Sequence, residues 1–380
     1  MKILVNANPM AGILTGISRY LRNLYAALSD LDQGRIFYMW GNEVLGAMPP
    51  LADFARWEKM TATVWKLADP IVFGLRSLHL LRQERKLREI CRNTFFDIYH
   101  ETGFTPSKMT SSPTLYTMCD LSMRRYKETH PRERVLFFEY FLKRRFKYAN
   151  HILTISEYIR QEIINELNVP PEMVSFVHLA ADPVFGPVSA EKVKKVRDNY
   201  GLPESYLLFV SSLEPRKNID LLMDALRAAK TDIPVVLAGW HAWGDKEWIK
   251  KAEMMKKTNP VYVLGHIPDH DLVALYNGAV ALIYPSIYEG FGLPIVEAMS
   301  CGCPVICSNR SSMPEVAGDA AILIDPFDSE DLAQAIEQVS HDTRLRRNLA
   351  RLGLNQAKRF SWEKSAAETL DVFKKVAKNK

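Results

Sequence analysis

Cysteine is scarce in this chain and odd in number. Five residues in 380, Cys91, Cys119, Cys301, Cys303 and Cys307, do not make a disulfide framework; they indicate a reducing compartment, with the cytoplasm as the natural home. Cys301, Cys303 and Cys307 form C-x-C-x3-C, but no histidine or fourth cysteine follows at zinc spacing, and the run reads as a helix end followed by a buried strand. No apolar run reaches the roughly 18 residues that a membrane span requires. The opening MKILVNANPM is a short strand pattern lacking the long apolar core of a secretory signal, so neither membrane crossing nor export is expected. No period of about 20–50 residues recurs and no segment is of low complexity, which excludes solenoids and fibrous arrays. Gly290-Phe291-Gly292 has no third glycine to complete G-x-G-x-x-G, which argues against a nicotinamide dehydrogenase.

What is present is enough chain for two domains of roughly 180 residues, each able to bury its own core. The hydrophobic fraction of 47% fits a globular protein. The net charge of +5 is unevenly spread: Lys+Arg against Asp+Glu is 24 to 19 over residues 1–190 and 25 to 25 over 191–380. Much of the excess lies between Arg124 and Lys147, where nine basic and three acidic residues alternate with Phe137, Phe138, Tyr140, Phe141 and Phe146. Such a mixture suits an interfacial helix on anionic lipid headgroups. It equally suits an ordinary amphipathic helix with a core-facing stripe and solvated charges. No nucleic-acid-binding motif accompanies the run, so nucleic acid is not expected as a partner.

Short apolar runs alternate with helical patterns: KILVNA before SRYLRNLYAALSDL, then FDIYHE, PTLYTM, and HILTIS before EYIRQEIINEL. This is βα alternation, hence a parallel sheet covered by helices. The rhythm restarts at SYLLFVSS and continues through PVVLAGW, VYVLG, VALIYPS, PVICSN and AAILIDP, which predicts a second sheet. The stretch from His178 to Ser189 has little periodicity and two prolines, and reads as the connection between the two. Ligands of open parallel sheets lie beyond the carboxyl ends of the strands. The chemistry-bearing residues fall at such ends.

In YEGFGLPIVEAMSCGC, Glu289 and Glu297 stand eight positions apart across a loop that opens a helix. Gly290 and Gly292 allow close backbone approach to a ligand, and Pro294 suits a first helical turn. The N–H groups from Leu293 onward then face an incoming anion. Arg216 and Lys217 follow SYLLFVSSL, where two cations can grip a diphosphate; a solvated turn with two surface cations is the plainer alternative.

Together, SSLEPRKN, LGHIPDHDL, YPSIYEGFGLPIVEAMSCGCPVICSNRSSMPEVAGDAAILIDP and FSWEKSA resemble the donor-binding half of the family 4 retaining glycosyltransferases. The resemblance implies an α/β fold of the GT-B type, with two Rossmann-like domains whose parallel sheets face a central cleft and a C-terminal helix crossing back to the N-terminal domain. Residues 1–182 with the helix 361–380 would bind the acceptor, and residues 183–360 the nucleotide-sugar donor. Glu297 would hold the ribose hydroxyls, and Glu289 with the backbone of Gly290, Phe291, Gly292 and Leu293 the transferred sugar. Arg216 and Lys217 would hold the phosphates, and Ile267, after Gly265, would meet the nucleobase through its backbone. In the first half LTGISRY and YHETGF with YTMCDLS match. Gly16 and Ile17 would bring N–H groups to the donor phosphate, and His100 and Asp120 would act with Glu289 as catalytic residues near the sugar and acceptor. Cys119 departs from the histidine usual in this family, and a thiol is a weaker donor to a sugar hydroxyl. For His100 a satisfied histidine beside a strand end is an equal alternative.

The implied reaction is retaining transfer of a hexose from a nucleotide diphosphate sugar to a hydroxyl. PSIYEGFGLP and NRSSMPEVAGDAA look most like bacterial mannosyl- and rhamnosyltransferases of surface polysaccharide synthesis, such as O-antigen or capsule. GDP-mannose and a lipid-linked saccharide are the expected substrates, on an enzyme peripheral to the inner face of the cell membrane through Arg124 to Lys147. dTDP-rhamnose, UDP-glucose and UDP-N-acetylhexosamine are alternative donors, and a non-catalytic nucleotide-sugar-binding protein is the rival of another class. Asp269-His270-Asp271 has the Asp-x-Asp pattern of a metal holder, but it follows Pro268 and opens a helix, where an aspartate reads as a cap. No cofactor and no metal is expected, since Arg216, Lys217 and helix N–H groups supply the positive charge. Transferase activity should persist in EDTA, and complete loss of turnover there would overturn this expectation.

Overall fold

The structure is a computed structural model that describes residues 1–11, 16–31, 35–41, 43–51, 67–240, 243–244, 247–255 and 259–378. The chain forms two compact units, Met1–Leu179 with Trp362–Lys380, and Ala180–Ser361.

The first unit is built on a seven-stranded sheet. Its strands are β1 (Lys2–Asn6), β2 (Arg35–Trp40), β3 (Glu43–Leu45), β4 (Ile98–Glu101), β5 (Thr114–Thr117), β6 (His151–Thr154) and β7 (Val174–Phe176), in the order β3-β2-β1-β4-β5-β6-β7. Every neighbouring pair is parallel except β2 with β3. Helices on both faces bury the central strands completely, so β4 and β5 have no solvent side. His100, Glu101, Thr114 and Thr117 are therefore drawn inside with the apolar residues. The helix Gly16–Leu31 buries Tyr20, Leu21, Leu24, Tyr25 and Leu28 at helical spacing, and packs against the C-terminal helix. The C-terminal helix Trp362–Lys378 also belongs to this unit, burying Trp362, Ala366, Phe373 and Val376, and Ser365 Oγ donates to the His178 carbonyl at 2.6 Å.

The basic aromatic segment divides its residues between the interior and the surface. Its helix, Arg132–Arg145, turns Val135, Phe138, Phe141 and Leu142 inward, and packs on the long helix Asp69–Asn93, where Phe73 meets the rings of Phe137, Tyr140 and Phe141. Arg145 pairs at 2.7 Å with the buried Glu84, and Arg76 pairs at 3.1 Å with the buried Glu133. Leu136 and Tyr140 remain exposed.

The second unit has a six-stranded, all-parallel sheet of β8 (Leu207–Val210), β9 (Val235–Ala238), β10 (Val261–Gly265), β11 (Ala281–Tyr284), β12 (Val305–Ser308) and β13 (Ile322–Ile324), ordered β10-β9-β8-β11-β12-β13. Leu207, Phe209, Leu237, Ile283 and Ile306 pack against Leu222, Leu226, Leu332 and Ile336 of the covering helices to make its core. Just beyond β9, Gly239 (φ 150°) passes so close to the Ser211 carbonyl that a Cβ would lie 1.7 Å from the oxygen. Only glycine fits there.

Phe373 is fully buried with its ring centroid 5.4 Å from that of His100. Phe373→Ala should destabilise the first unit by about 3–5 kcal/mol. Urea unfolding followed by near-ultraviolet circular dichroism measures the loss; a change no larger than at an exposed site would show that the C-terminal helix contributes little to the unit.

Candidate active site

The site in the second unit grows from the carboxyl ends of β8 and β11. After β8 the chain makes a turn of 3-10 helix, Pro215–Lys217, which Asn218 closes in the left-handed conformation (φ 62°). The Asn218 amide donates to the carbonyls of Pro285 and Pro326 at 3.1 and 2.7 Å, tying this turn to the segments after β11 and β13. The Arg216 carbonyl accepts from Ile287 N at 3.0 Å.

This stitching sinks Arg216 and Lys217 to 9% and 6% exposure, so the plainer sequence reading of two solvated surface cations does not hold. Lys217 Nζ lies 2.6 Å from Glu289 Oε1, and Arg216 lies 3.4 Å from Glu289 Oε2 and 2.7 Å from Glu214 Oε1. Tyr284, the last residue of β11, donates to Glu289 Oε1 at 2.8 Å. Burial alone would raise the Glu289 carboxyl, but the charges of Lys217 and Arg216 and the hydrogen bonds of Lys217 and Ser286 outweigh it and hold the group down to about 2. Two carboxylates and two cations make a neutral buried cluster. The cations are thus already neutralised by Glu214 and Glu289, which the sequence reading of them as free positive charge for a diphosphate did not include.

The loop from Glu289 is fixed by residues that the sequence reading missed. Glu289 N donates to Ser311 Oγ, and Ser312 Oγ donates to the carbonyls of Glu289 and Phe291, all at 2.9 Å. Ser311 and Ser312 follow β12 and precede another helix, and that position at a strand's carboxyl end was the available signal. Glu214 stands at such an end too, in the run Glu214 to Asn218 after β8 that the sequence places among the candidates, whereas Tyr284 reads only as strand core. Gly292 (φ 107°) starts the helix Leu293–Ser300, with Pro294 in its first turn. A Cβ on Gly292 would meet Ile295 at 3.1 Å in addition to the strain of that φ. Gly290, Phe291 and Leu293 share this turn, whose leading N–H groups lack intrahelical acceptors. Glu297, on the same helix, is buried and accepts from Tyr276 OH at 2.9 Å. Ile267 is buried beyond β10, after Gly265, whose carbonyl accepts from Gly239 N at 2.7 Å.

Asp269 and Asp271 stand in the first turn of the helix Asp269–Gly278, but the capping position is Pro268, with no side-chain cap. The expectation of a capping aspartate is therefore corrected: the pair complements the helix dipole, and Asp271 accepts from Tyr200 OH at 2.8 Å. Among the described residues no cluster of three or more His, Cys, Asp or Glu is placed to hold a metal ion.

In the first unit Gly16 and Ile17 open the helix Gly16–Leu31, where N–H groups have no intrahelical acceptor; Leu14 and Thr15 of the same expected loop lie outside the described residues. Asp120 is partly buried beyond β5 and accepts from Ser122 N at 2.8 Å. Burial, and after it the charge of Asp120, pushes the Cys119 thiol up to about 12, so it stays a neutral, weak donor. His100 is placed differently from the expected catalytic role. It is fully buried in β4, Tyr25 OH bonds its Nδ1 at 2.5 Å, and Thr117 Oγ1 bonds its Nε2 at 2.7 Å. Both ring nitrogens are occupied within the core, and burial pushes the imidazole down to about 3. The structure makes it the satisfied core histidine, because a central strand of a doubly covered sheet has no open face.

Two Rossmann-like units of this kind make the architecture of the GT-B fold. A solved sucrose-phosphate synthase from Thermosynechococcus elongatus superposes with a TM-score of 0.75 at 18% identity, over 100% of this chain and 99% of that one. Residues 193–356 match the family described as glycosyl transferases group 1. The O-antigen chain mannosyltransferase B of Escherichia coli is 34% identical over 98% of this chain and 100% of its own length. The serotype-specific mannosyltransferase WbdA of Escherichia coli is 32% identical over 61% of this chain and 29% of its own. The chain belongs to the group 1, or family 4, glycosyltransferases of the GT-B fold.

Because the folded-state carboxyl of Glu289 is depressed, its contribution to stability is complete above the ordinary value of 4.5 and is lost as pH falls toward about 2. Glu289→Gln should remove that part of the acid sensitivity and, by leaving Lys217 and Arg216 short of a counter-charge, cost about 3–5 kcal/mol near neutrality. Urea midpoints across that pH range give the comparison; parallel curves for the two proteins would mean the pairing is not a stabilising one.

Proposed function

We propose that the chain is a mannosyltransferase of O-antigen synthesis, moving mannose from GDP-mannose to a hydroxyl of a lipid-linked saccharide. The observation that carries this reading is the 34% identity to O-antigen chain mannosyltransferase B across 98% of the present chain. In the proposed reaction the bond from the anomeric carbon to the diphosphate oxygen breaks, and the acceptor oxygen bonds to that carbon from the same face. The acceptor's proton passes to the departing phosphate, so configuration is retained and no second carboxylate acts as nucleophile.

Arg216 and Lys217 stabilise the departing diphosphate, sharing their charge between it and Glu289. Charge-assisted hydrogen bonds are worth roughly 1.5–3 kcal/mol each, enough for several powers of ten in rate when two or three converge on a leaving group. Their existing tie to Glu289 suits this work, since cations held in place need no reorganisation as charge develops. The N–H groups of Gly292 and Leu293 add a helix-terminal anion site. Glu289 orients the transferred sugar and Glu297 anchors the ribose. This positive charge comes from side chains and amides, and we propose activity without a metal ion. Asp120 works on the acceptor side, in the first unit.

No described helix is long and apolar enough to cross a membrane. Peripheral attachment at the inner membrane face is the setting proposed for a lipid-linked acceptor, with the exposed cations between Arg124 and Lys147 facing anionic headgroups.

Thermal stabilisation should be largest with GDP among GDP, UDP, dTDP and ADP, because binding to the folded state raises stability with affinity. Glu289→Ala should lower kcat by about a hundredfold or more, and Glu297→Ala should chiefly raise the donor KM by roughly tenfold or more. A shift with UDP or dTDP alone would move the donor to another sugar nucleotide, and equal small effects of the two substitutions would remove the assigned roles.

A further inference from the structure

One buried carboxylate in the first unit has no part in the reaction just described. Glu101, the last residue of β4, is 1% exposed and accepts five hydrogen bonds, all from neutral donors. Its Oε1 accepts from Asn6 Nδ2 at 2.5 Å and Gly103 N at 2.8 Å, and its Oε2 from Tyr99 OH at 3.0 Å, Ser107 N at 3.2 Å and Ser107 Oγ at 2.5 Å. A buried carboxylate is costly, and charge-assisted bonds of this kind offset the cost only when the donors stay in place. Here they are supplied by the end of β1, by Tyr99 of β4 itself and by both ends of the segment 103–107. Asn6 in turn accepts from Asn8, Asn8 accepts from Gly41 N at 2.7 Å beyond β2, and Thr102 Oγ1 donates to the Asn6 carbonyl. The network thus spans the carboxyl ends of β1, β2 and β4, the edge at which open α/β sheets take ligands.

What this network presents is Phe104. Its carbonyl is pinned by Tyr116 OH at 2.8 Å, and Gly103 before it is so close to Glu101 Oε1 that a Cβ would approach to 3.0 Å, yet Phe104 is 51% exposed. Phe104 lines a small crevice with Met123, Phe137, Arg76 and Arg134, the two arginines lying 3.1 and 3.9 Å from the buried Glu133. A rigidly mounted aromatic ring suits the C–H face of a sugar.

We propose that Phe104 is a contact for the acceptor, a saccharide carried on a lipid diphosphate, and that Glu101 is the positioning residue that fixes it. The proposal rests on the reading that the first unit takes the acceptor. Glu101 touches no substrate; it acts through Gly103 and Ser107.

The test uses the full-length protein and a mannoside linked to a short alkyl diphosphate, with acceptor binding measured by calorimetry in the absence of donor. Phe104→Ala should weaken binding by roughly three- to tenfold, the range of an aromatic contact, and Phe104→Trp should restore it. Glu101→Gln, or Ser107→Ala should that variant fold poorly, should weaken it too and speed amide exchange at Gly103 and Ser107 by about tenfold or more, while exchange around Arg216 and Lys217 stays unchanged. Unaltered exchange would overturn the role of Glu101. Binding that Phe104→Ala leaves intact, that Phe104→Trp fails to restore, or that the wild-type protein does not show would overturn the role of Phe104. Failure of the mannosyltransferase reading has another signature: the alkyl diphosphate mannoside binds through Phe104, but GDP-mannose gives no transfer.

Discussion

The buried pairing of Lys217 and Arg216 with Glu289 is the constraint on which the second unit's functional edge depends. Two cations and a carboxylate taken out of water are tolerated only when each has partners in good geometry. Three separate segments supply that geometry. The turn after β8 brings the cations, the loop after β11 brings Glu289 and Tyr284, and Ser311 and Ser312 beyond β12 hold that loop from the other side. None can move without stranding a charge. The same arrangement that stabilises the edge therefore sets the residues assigned to diphosphate and sugar at fixed distances before any substrate arrives.

The first unit solves an equivalent problem without a cation. Glu101 is as buried as Glu289, but neutral hydroxyl, amide and backbone donors satisfy it, so it organises chain rather than charge. The contrast suits the two assignments. A group that meets a departing diphosphate needs positive charge already in place, whereas a surface that meets the sugar ring of an acceptor needs an ordered backbone and an exposed ring.

Much of the fold was legible in the sequence because central parallel strands are short, continuous apolar runs. KILVN, LLFV, VVLA, ALIY and VICS each became a strand, and each is almost wholly buried. The long helix Asp69–Asn93 was not named from the sequence. Its buried residues, Val72, Leu80, Glu84 and Leu87, include a carboxylate and leave Leu75, Leu78 and Leu81 outside, so no clean apolar face marked it. The strand β2 went unnamed as well. For His100 the sequence left chemistry and a satisfied histidine equally open; the helices Gly16–Leu31 and Trp362–Lys378 close over it with Tyr25 and Phe373. The second of these lies more than two hundred residues away along the chain, beyond the reach of any local pattern.

By itself the sequence determined the βα alternation, the two sheets, and the loop in which Gly292, Pro294 and Glu297 must open a helix, because these follow from local sterics and hydrophobic period. Tertiary structure alone decided the state of the charges and the polar groups. It buried Arg216 and Lys217 against Glu289, gave His100 two core partners, and gathered five donors around Glu101. Burial and pairing depend on which distant segments meet, and that information lies in no single stretch of chain.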